Sequence, residues 1–390
     1  MATNDPTVNI TKFLGLYNRE QSRRLPVGSL TVAENIDIDD SGGIIRRQGY
    51  AKVADLFNVT SAYATQDERR LFVVSNGDLL LHVGNFNFAV IYVDVGTAYI
   101  QWVEVADFIF LSTGQVIDKD NNVTTWRIPT PMEPDVALIS GVLPEGQYQI
   151  STALVDALGR EGGASPTWVQ EVAEGSGFRI TPDTPAGYTS RVYVSEANGT
   201  ELYFAGETAT SVEVVAATAL VDPIEAAQLG SYPAPEDATV IAHYEARLWA
   251  AQPGPVSAIW FSEPYWWNLF KLQENFISVP GWVRMMVGLK EGLLIGTDDE
   301  IYVYNDSLMK VADYGVPFGK ACAVDDTGKA FIWTKQGICE ALPFNNLTEQ
   351  KLSLAAEGSC YTDIVEQNGF SQFVVLTTEE GAADNKLLSL

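Results

Sequence analysis

Histidine is nearly missing from this chain, which has only His82 and His243 among 390 residues. Histidine is the usual general base near neutral pH, and both copies lie in or beside predicted strands with no nucleophile motif nearby. We therefore interpret both as structural or surface residues. Close His and Cys pairs that bind zinc, glycine-rich phosphate-binding loops and the G-x-S-x-G motif of serine hydrolases are missing as well. The sequence predicts no catalytic, cofactor or metal site, and hence a protein that is not an enzyme.

Cysteine is also scarce: Cys322, Cys339 and Cys360 are an odd set without C-x-x-C spacing. We expect reduced thiols in a protein that folds in the cytoplasm, with Cys339 buried in an apolar strand. Residues 1–11 have neither a basic start nor an apolar core, so no signal peptide is expected. No apolar run reaches the roughly 18 residues of a membrane span, so no membrane insertion is expected either.

Basic residues are outnumbered, with 24 Lys and Arg against 50 Asp and Glu, for a formal charge of −26. Such a surface repels nucleic acid and anionic membranes, whose binding depends on Lys and Arg. The charge excludes nucleic acid as a tightly held ligand. It is compatible with a channel through which DNA slides without specific binding.

Hairpin signals recur along the chain, each an apolar run, a turn and a second apolar run. The turns are Asn76-Gly77, Thr113-Gly114, Pro253-Gly254, Asp298-Asp299, Gln336-Gly337 and Glu380-Gly381. Successive intervals are 37, 140, 44, 39 and 44 residues. A period of about 40 residues with four short strands is typical of a β-propeller blade, and helical periodicity is nearly absent. The sequence predicts an all-β fold, a β-propeller of about six blades with five to seven possible.

The one long interval indicates an insertion bracketed by prolines at 129–134 and 233–235. Six or seven short strand signals between them predict a β-sandwich of the immunoglobulin or fibronectin type. The phrase from Arg191 to Phe204 resembles a late hairpin of fibronectin type III modules. The predicted domains are an extended docking segment at 1–60, the first part of the propeller at 61–134, the inserted sandwich at 135–235 and the second part of the propeller at 236–390.

Three acidic turns are candidates for binding sites. Asp37, Asp39, Ser41 and Gly42 begin a calcium-loop pattern that fails at its twelfth position, Gln48, so a tight turn with Gly42 or Gly43 at positive φ is the expectation. The turn at 118–122 lacks glycine and predicts a solvated loop. The phrase at 324–331 partly resembles the aspartate box of sialidase-type propellers, which is a turn staple without a catalytic role.

The densest aromatic run extends from Trp260 to Phe270 and contains Tyr265-Trp266-Trp267. Packing within or between blades, a subunit interface and a carbohydrate platform are the three interpretations. We predict that Tyr265, Trp266 and Trp267 reach a neighbouring molecule, because alternation along a strand hides only some of three adjacent rings.

The first 50 residues are similar to the N-terminal entry of tail hub or nozzle (tail tubular) proteins of short-tailed bacteriophages. The phrases that carry the resemblance run from Phe13 to Asn18, Leu25 to Gly28, Ala33 to Asp37 and Gly42 to Tyr50, with a later phrase from Trp260 to Tyr265. The resemblance implies a propeller with inserted β modules that assembles as a ring, commonly of six copies, below the portal and adaptor proteins. DNA leaves through the channel of such a ring.

On these grounds we predict a structural protein of a phage tail, located in the virion after folding in the host cytoplasm. Its partners are copies of itself, portal, adaptor and other tail proteins. Arg46 and Arg47 are candidates for pairing with partner carboxylates, with ordinary surface charge as the equal alternative. The alternative function is a receptor-engaging or glycan-degrading propeller at a virion or cell surface, since two carboxylates at glycosidase spacing cannot be recognised in a sequence with 50 acids.

Overall fold

The computed structural model describes residues 10–21, 24–38, 41–47, 51–217, 235–349, 351, 358–367, 370–378 and 385–389. Regular structure in these ranges consists of β-strands, and they contain no α-helix. The turn Glu380-Gly381 of the sequence repeat lies outside the described residues.

The chain forms two compact units. Unit 1 comprises Met1–Leu56, Gly254–Val256 and Pro280–Leu390, and unit 2 comprises Phe57–Pro253 and Ser257–Val279. This division crosses the domain bounds predicted from the sequence, which stay a prediction.

Unit 1 begins with two small sheets. Their strands are β1 (Gly15–Leu16), β2 (Ser29–Leu30), β3 (Ile36–Ile38) and β4 (Ile44–Arg46). β1 and β2 pair in parallel, whereas β3 and β4 form an antiparallel hairpin. Gly42, in the turn of this hairpin, has a φ of +82°, as the sequence predicts.

Unit 2 opens with two four-stranded antiparallel sheets, here called blades 1 and 2. Blade 1 consists of β5 (Val59–Ala64), β6 (Leu71–Ser75), β7 (Asp78–Gly84) and β8 (Asn87–Tyr92). Blade 2 consists of β9 (Trp102–Val105), β10 (Phe108–Leu111), β11 (Gln115–Ile117) and β12 (Val123–Thr125). In both blades the strands pair in chain order, as they do in a propeller blade.

The insertion follows blade 2 as two sheets. One contains β13 (Asp135–Ser140), β17 (Ser176–Thr181) and β20 (Val212–Val214); the other contains β14 (Gly146–Val155), β15 (Glu161–Ala164), β16 (Trp168–Val172), β18 (Thr189–Ser195) and β19 (Leu202–Thr208). Tyr148 and Phe178, one from each sheet, meet edge to face with ring centroids 5.5 Å apart. Buried aliphatic residues of both sheets share this core, which defines a β-sandwich.

Blade 3 completes unit 2. Its strands are β21 (Val240–Tyr244), β22 (Arg247–Gln252), β23 (Val256–Glu263), β24 (Trp266–Phe270) and β25 (Phe276–Pro280), of which both β24 and β25 pair with β23. The chain therefore divides the outer strand of this blade into two pieces.

Successive blades of unit 2 pack face to face. Phe72 and Leu79 of blade 1 share a core with Ile109 and Leu111 of blade 2. The other face of blade 2 buries Phe110 in a second core, with Leu248, Ala250 and Phe270 of blade 3. A four-stranded sheet that is apolar on both faces needs such neighbours, because neither face is buried by the sheet alone.

The first strands of blades 1 and 2 run in the same direction. The Ser61 hydroxyl donates a hydrogen bond to the Ile100 carbonyl at 2.8 Å, and the Tyr63 hydroxyl donates to Glu104 Oε2 at 2.8 Å. On the far side of β9, the Gln101 side chain accepts the Ile241 N–H of blade 3 at 2.9 Å. The first strands thus lie side by side, as in a propeller.

Unit 1 holds three further sheets. Blade 4 contains β26 (Val283–Leu289), β27 (Gly292–Thr297), β28 (Ile301–Asn305) and β29 (Ser307–Ala312). The remaining strands are β30 (Phe318–Lys320), β31 (Cys322–Val324), β32 (Ala330–Thr334), β33 (Gly337–Glu340), β34 (Asn345–Asn346), β35 (Ser359–Gln367), β36 (Phe370–Thr378) and β37 (Asn385–Ser389). β31 to β34 form blade 5, and β30 with β35 to β37 forms blade 6.

Residues 318–324 join two blades. β30 pairs in parallel with β35 of blade 6, and β31 then pairs antiparallel with β32 of blade 5. The core beneath contains Leu294 of blade 4, Trp333 of blade 5 and Val375 of blade 6. All three blades of unit 1 consequently share one core.

The predicted fold class, an all-β β-propeller with an inserted β-sandwich, is confirmed. The described residues form six blade sheets, five of four strands and one, blade 3, of five, which lies within the predicted range of five to seven blades. All five turns of the sequence repeat that fall within the described ranges connect the second and third strands of a blade.

Gly319 tests the junction between blades 5 and 6. Its φ is +111°, and a Cβ there would lie 2.1 Å from the Cys360 carbonyl oxygen. We expect Gly319→Ala to lower the free energy of unfolding by about 3 kcal/mol or more, because the parallel β30–β35 pairing must open. The measurement is the midpoint of urea-induced unfolding.

Gly328→Ala is the matched control, since Gly328 also has a positive φ, of +85°, but its Cβ would meet no atom within 4 Å. It should cost only about 1 kcal/mol, the strain of the left-handed backbone. Equal losses for the two variants would contradict the close approach.

Candidate interaction surfaces

The first candidate surface is the N-terminal arm, the Met1–Leu56 segment of unit 1, of which residues 10–21, 24–38, 41–47 and 51–56 are described. Among its described residues, only Gly28 and Gly42 are buried. Seven large apolar side chains are exposed, namely Ile10, Leu14, Val27, Val32, Ile44, Ile45 and Val53. Exposed apolar side chains on one segment make the arm a candidate contact surface.

The two buried glycines hold the arm in shape. The Phe13 N–H donates to the Gly42 carbonyl and the Leu14 N–H to the Gly28 carbonyl, both at 2.9 Å. A Cβ on Gly28 would lie 2.4 Å from the Lys12 carbonyl oxygen. The glycines of the family-like phrases therefore have a structural role, which is to let backbone segments approach closely.

Arg46 and Arg47 differ in their surroundings. Arg47 donates from Nε at 3.0 Å and from Nη2 at 2.7 Å to Asp37 Oδ1 across the β3–β4 hairpin. Arg46 is exposed on β4 beside the exposed Ile44 and Ile45. Arg47 thus has a carboxylate partner within its own chain, and pairing with another subunit stays a prediction for both residues.

The charge of the arm differs from that of the remaining chain. Residues 1–56 contain seven basic and seven acidic residues. Residues 57–390 contain 17 basic and 43 acidic residues, so they account for the whole formal charge of −26. The arm is the electrically neutral part of a strongly acidic protein.

The aromatic triplet predicted to reach a neighbour is divided by the structure. Trp267 packs against Phe108 and Phe110 of blade 2, with ring centroids 6.4 and 6.2 Å apart. Tyr265 and Trp266 are 75% and 42% exposed. Of the three residues of the triplet, Tyr265 and Trp266 therefore face solvent, whereas Trp267 contributes to the core between blades 2 and 3.

Tyr265 has an unusual backbone conformation. It follows Pro264 in the two-residue turn between β23 and β24, and its φ is +64°. This position ordinarily holds Gly or Asn, because a side chain with a Cβ is strained there by about 1 to 2 kcal/mol. Its N–H donates to the Ala246 carbonyl at 2.8 Å, which holds the turn against the β21–β22 turn. An exposed aromatic ring in a strained turn is a candidate contact residue.

Phe86 repeats this arrangement in blade 1. It lies in the β7–β8 turn with a φ of +57° and is 57% exposed. The His82 ring lies 6.1 Å from the Phe86 ring, and His82 Nε2 accepts the Phe86 N–H at 3.2 Å. Phe86 and Tyr265 are the only aromatic residues at positive φ in the described part of the chain, and both occupy the turn between the third and fourth strands of a blade.

These turns lie at one end of unit 2. Arg70 Nη1 donates to the Asp118 carbonyl at 2.8 Å, which joins the β5–β6 loop of blade 1 to the β11–β12 turn of blade 2. Trp267, next to the Tyr265 turn, touches Phe108, which follows the β9–β10 turn. The turns at 65–70, 85–86, 106–107, 118–122, 245–246 and 264–265 form the second candidate surface, here called the turn face.

The turn face is acidic as well as aromatic. Its turns contain Asp67, Glu68, Asp107, Asp118, Asp120 and Glu245, against Arg69, Arg70 and Lys119. Lys119 is paired with Asp120 at 2.8 Å and Arg69 with Asp67 at 3.7 Å. The surface combines exposed aromatic rings with an excess of carboxylates.

Two of the acidic turns noted in the sequence, at 118–122 and 325–329, are held by their first Asp, and the turn at 156–160 repeats the arrangement. In the turns 118–122, 156–160 and 325–329, the first residue is an Asp whose Oδ1 accepts the N–H of the third and fifth residues at 2.8 to 3.0 Å. The fourth residue has a positive φ: Asn121, Gly159 and Gly328. The turn at 118–122, predicted to be a solvated loop, has Asn121 at the glycine position. The Thr327 hydroxyl and backbone amides hold the pKa of Asp325 below its ordinary value.

Three titratable side chains, Cys322, Cys360 and His243, have pKa values that are shifted by burial. Burial raises the pKa of Cys322 and of Cys360 to about 12 and lowers that of His243. The described residues contain no group of three or more His, Cys, Asp or Glu placed to hold a metal ion. Of the calcium-loop pattern, Asp37 contacts Arg47, while Asp39 and Gln48 lie outside the described residues. In the part of the chain that the structure describes, no helix is long and apolar enough to cross a membrane.

No family model and no curated protein matches this chain. Solved structures similar to it include BBS1N in complex with ARL6DN, at 11% identity and a TM-score of 0.32, with 83% of this chain and 91% of that chain covered. The AfRom2 CNH domain follows at 9% identity and a TM-score of 0.33, with 86% and 96% covered. The RRP9 WD40 repeats show 8% identity and a TM-score of 0.26, with 74% and 89% covered. Similarity at these scores carries no functional information about the chain.

Tyr265 provides a test of strain at the turn face. We expect Tyr265→Asn to raise the free energy of unfolding by about 0.5 to 1 kcal/mol, because Asn tolerates a positive φ better than Tyr. Tyr265→Val should lower it by about 1 kcal/mol, since a β-branched residue is the least compatible with this backbone. Thermal unfolding of both variants beside the parent chain measures the effect, and a loss of stability in Tyr265→Asn would show that the ring contributes more than the strain costs.

Proposed function

We propose that this protein is a structural subunit of a phage tail, a nozzle or hub that forms a ring below the portal and adaptor proteins and through which DNA leaves. The observation that carries the proposal is the N-terminal arm. It contains the family-like phrases, and its described residues bury only two glycines while exposing seven large apolar side chains. The arm docks on the adaptor ring or on an adjacent subunit, where these side chains are covered.

The acidic body supports the same function. Residues 57–390 carry the whole formal charge of −26, which repels the phosphates of DNA. A passage bounded by such residues lets DNA slide, because there is no cationic surface that would hold it. The proposal assigns no catalytic activity to the chain.

The inserted sandwich is fixed to blades 2 and 3, as suits a rigid building block. Arg160 Nη2 donates to the Thr125 carbonyl of blade 2 at 2.6 Å, and Asn268 Nδ2 of blade 3 donates to the Glu161 carbonyl at 2.7 Å. The Arg160 guanidinium is held by Asp156, to whose Oδ2 its Nε donates at 2.9 Å. These contacts give the insertion a defined place on unit 2.

Deletion of residues 1–50 tests the docking role of the arm. We expect the shortened chain to lose assembly with portal and adaptor proteins, because six of the seven exposed apolar side chains of the arm are removed. The cooperative unfolding of the remaining chain should persist, since the described part of the arm buries only Gly28 and Gly42. Light scattering of the chain, alone and mixed with portal and adaptor, measures assembly, and circular dichroism during heating is the folding control.

Unchanged assembly of the shortened chain would contradict the docking role. A full-length chain that stays monomeric both alone and in the mixture, and that also cleaves glycans, would overturn the nozzle proposal in favour of a surface-exposed, glycan-degrading propeller.

A further inference from the structure

We infer that the N-terminal arm of one copy docks on the turn face of unit 2 of a second copy. The inference rests on the proposed function in one respect, that the chain assembles with copies of itself, and it names the surface that receives the arm. The contact is heterologous, because two different surfaces meet, so repetition of the contact generates a ring when its angle closes.

Charge selects a second copy as the occupant. Two bodies that each carry a formal charge of −26 repel one another. The arm is the part of the chain with equal numbers of acidic and basic residues, so it can approach an acidic surface without that repulsion. Its exposed Arg46 adds a guanidinium that can pair with a carboxylate.

The turn face supplies the negative charge that the Arg46 guanidinium can pair with. Its six turns hold six carboxylates and three basic residues, and Asp107 and Glu245 are exposed. The guanidinium of Arg70 is already engaged by the Asp118 carbonyl, and Lys119 is paired with Asp120. The face thus presents carboxylates to a basic partner more readily than cations to an acidic one.

Apolar chemistry also matches on the two surfaces. On the arm, Ile44 and Ile45 are 42% and 52% exposed beside Arg46. On the turn face, Phe86 and Tyr265 extend from strained turns at equivalent places in blades 1 and 3. Exposed aromatic rings that meet aliphatic side chains bury a large area at low entropic cost, which is typical of interface hot spots.

The hairpin that carries Arg46 has an available edge. β3 and β4 form a two-stranded sheet, and in the described residues β4 pairs with β3 alone. Such an edge is a usual place of contact with another chain. Arg46, Ile44 and Ile45 therefore lie on an element that is suited to lie against a second copy.

The test uses full-length chains and measures self-association by sedimentation velocity over a range of concentrations. Arg46→Glu on the arm, and Asp107→Lys with Glu245→Lys on the turn face, should each weaken association at least about tenfold, because a charge attraction becomes a repulsion. The three substitutions combined should recover part of the loss.

The matched control is Glu171→Lys with Glu174→Lys, two exposed acids of the inserted sandwich. It changes the net charge as much as the turn-face variant does, so it should leave association unchanged or strengthen it slightly. Weakening by the turn-face variant alone identifies the surface rather than the overall charge.

Tyr265→Asn provides a second readout that poor folding cannot imitate. This variant is expected to fold at least as well as the parent and yet to associate about tenfold more weakly, because the exposed ring is lost. Parent-like association of Tyr265→Asn, Arg46→Glu and the turn-face variant would overturn the inference, as would a parent chain that is monomeric at every concentration.

The experiments distinguish a failure of the arm-to-turn-face contact from a failure of the nozzle proposal. If these variants self-associate as the parent does while the parent chain assembles with portal and adaptor, the arm docks elsewhere and the nozzle proposal stands. If the parent chain associates through the turn face but never binds portal or adaptor, the inference stands and the nozzle proposal fails.

Discussion

Burial of both faces of each small sheet is the constraint on which the molecule depends. A blade has only four short strands, and its apolar residues alternate between two faces. Phe110 and Leu111 show this directly, because adjacent residues of β10 lie in different cores, one shared with blade 3 and the other with blade 1. No blade of unit 2 is complete without its neighbours. The same holds in unit 1, where blades 4, 5 and 6 share one core.

This mode of packing leaves the turns and the N-terminal segment available for contacts. The faces that neighbouring blades share are buried, whereas strand ends and segments outside the blades also expose large apolar side chains. Phe86 and Tyr265 occupy such strand ends in unit 2, and the exposed isoleucines of β4 lie in a segment outside the blades of unit 1. Buried polar groups are used differently: the Asp156–Arg160 pair is almost completely buried, and Asp156 Oδ1 and Arg160 Nη2 meet backbone groups of the insertion and of blade 2, whereas Arg160 Nη1 has no hydrogen-bond partner.

The repeat of turns was readable from the sequence because the same connection recurs in each blade. Gly77, Gly114 and Gly337 all have positive φ at the connection between second and third strands, where glycine is favoured. The sixth blade departs from this rule. Its first strand, β30, precedes blade 5 and pairs in parallel with β35, so the equivalent connection is not at Glu380-Gly381 but at residues 368–369, outside the described ranges. No local pattern announces a strand that belongs to a different sheet from the residues that follow it.

The sequence by itself determined the all-β class, the blade period, the presence of an inserted sandwich and the charge of the chain, because these depend on local alternation, turn residues and composition. Tertiary structure decided which residues of the aromatic triplet and of the arginine pair are exposed to solvent. Trp267 enters the core between blades and Tyr265 does not, since the outer strand of blade 3 bulges after a two-residue turn. Arg47 meets Asp37 across a hairpin while Arg46 stays exposed, because adjacent residues of a strand point to opposite faces. The turn face itself joins turns more than 100 positions apart: Phe108, next to the 106–107 turn, touches Trp267, near the 264–265 turn, and only the packing of one blade on the next brings these residues together.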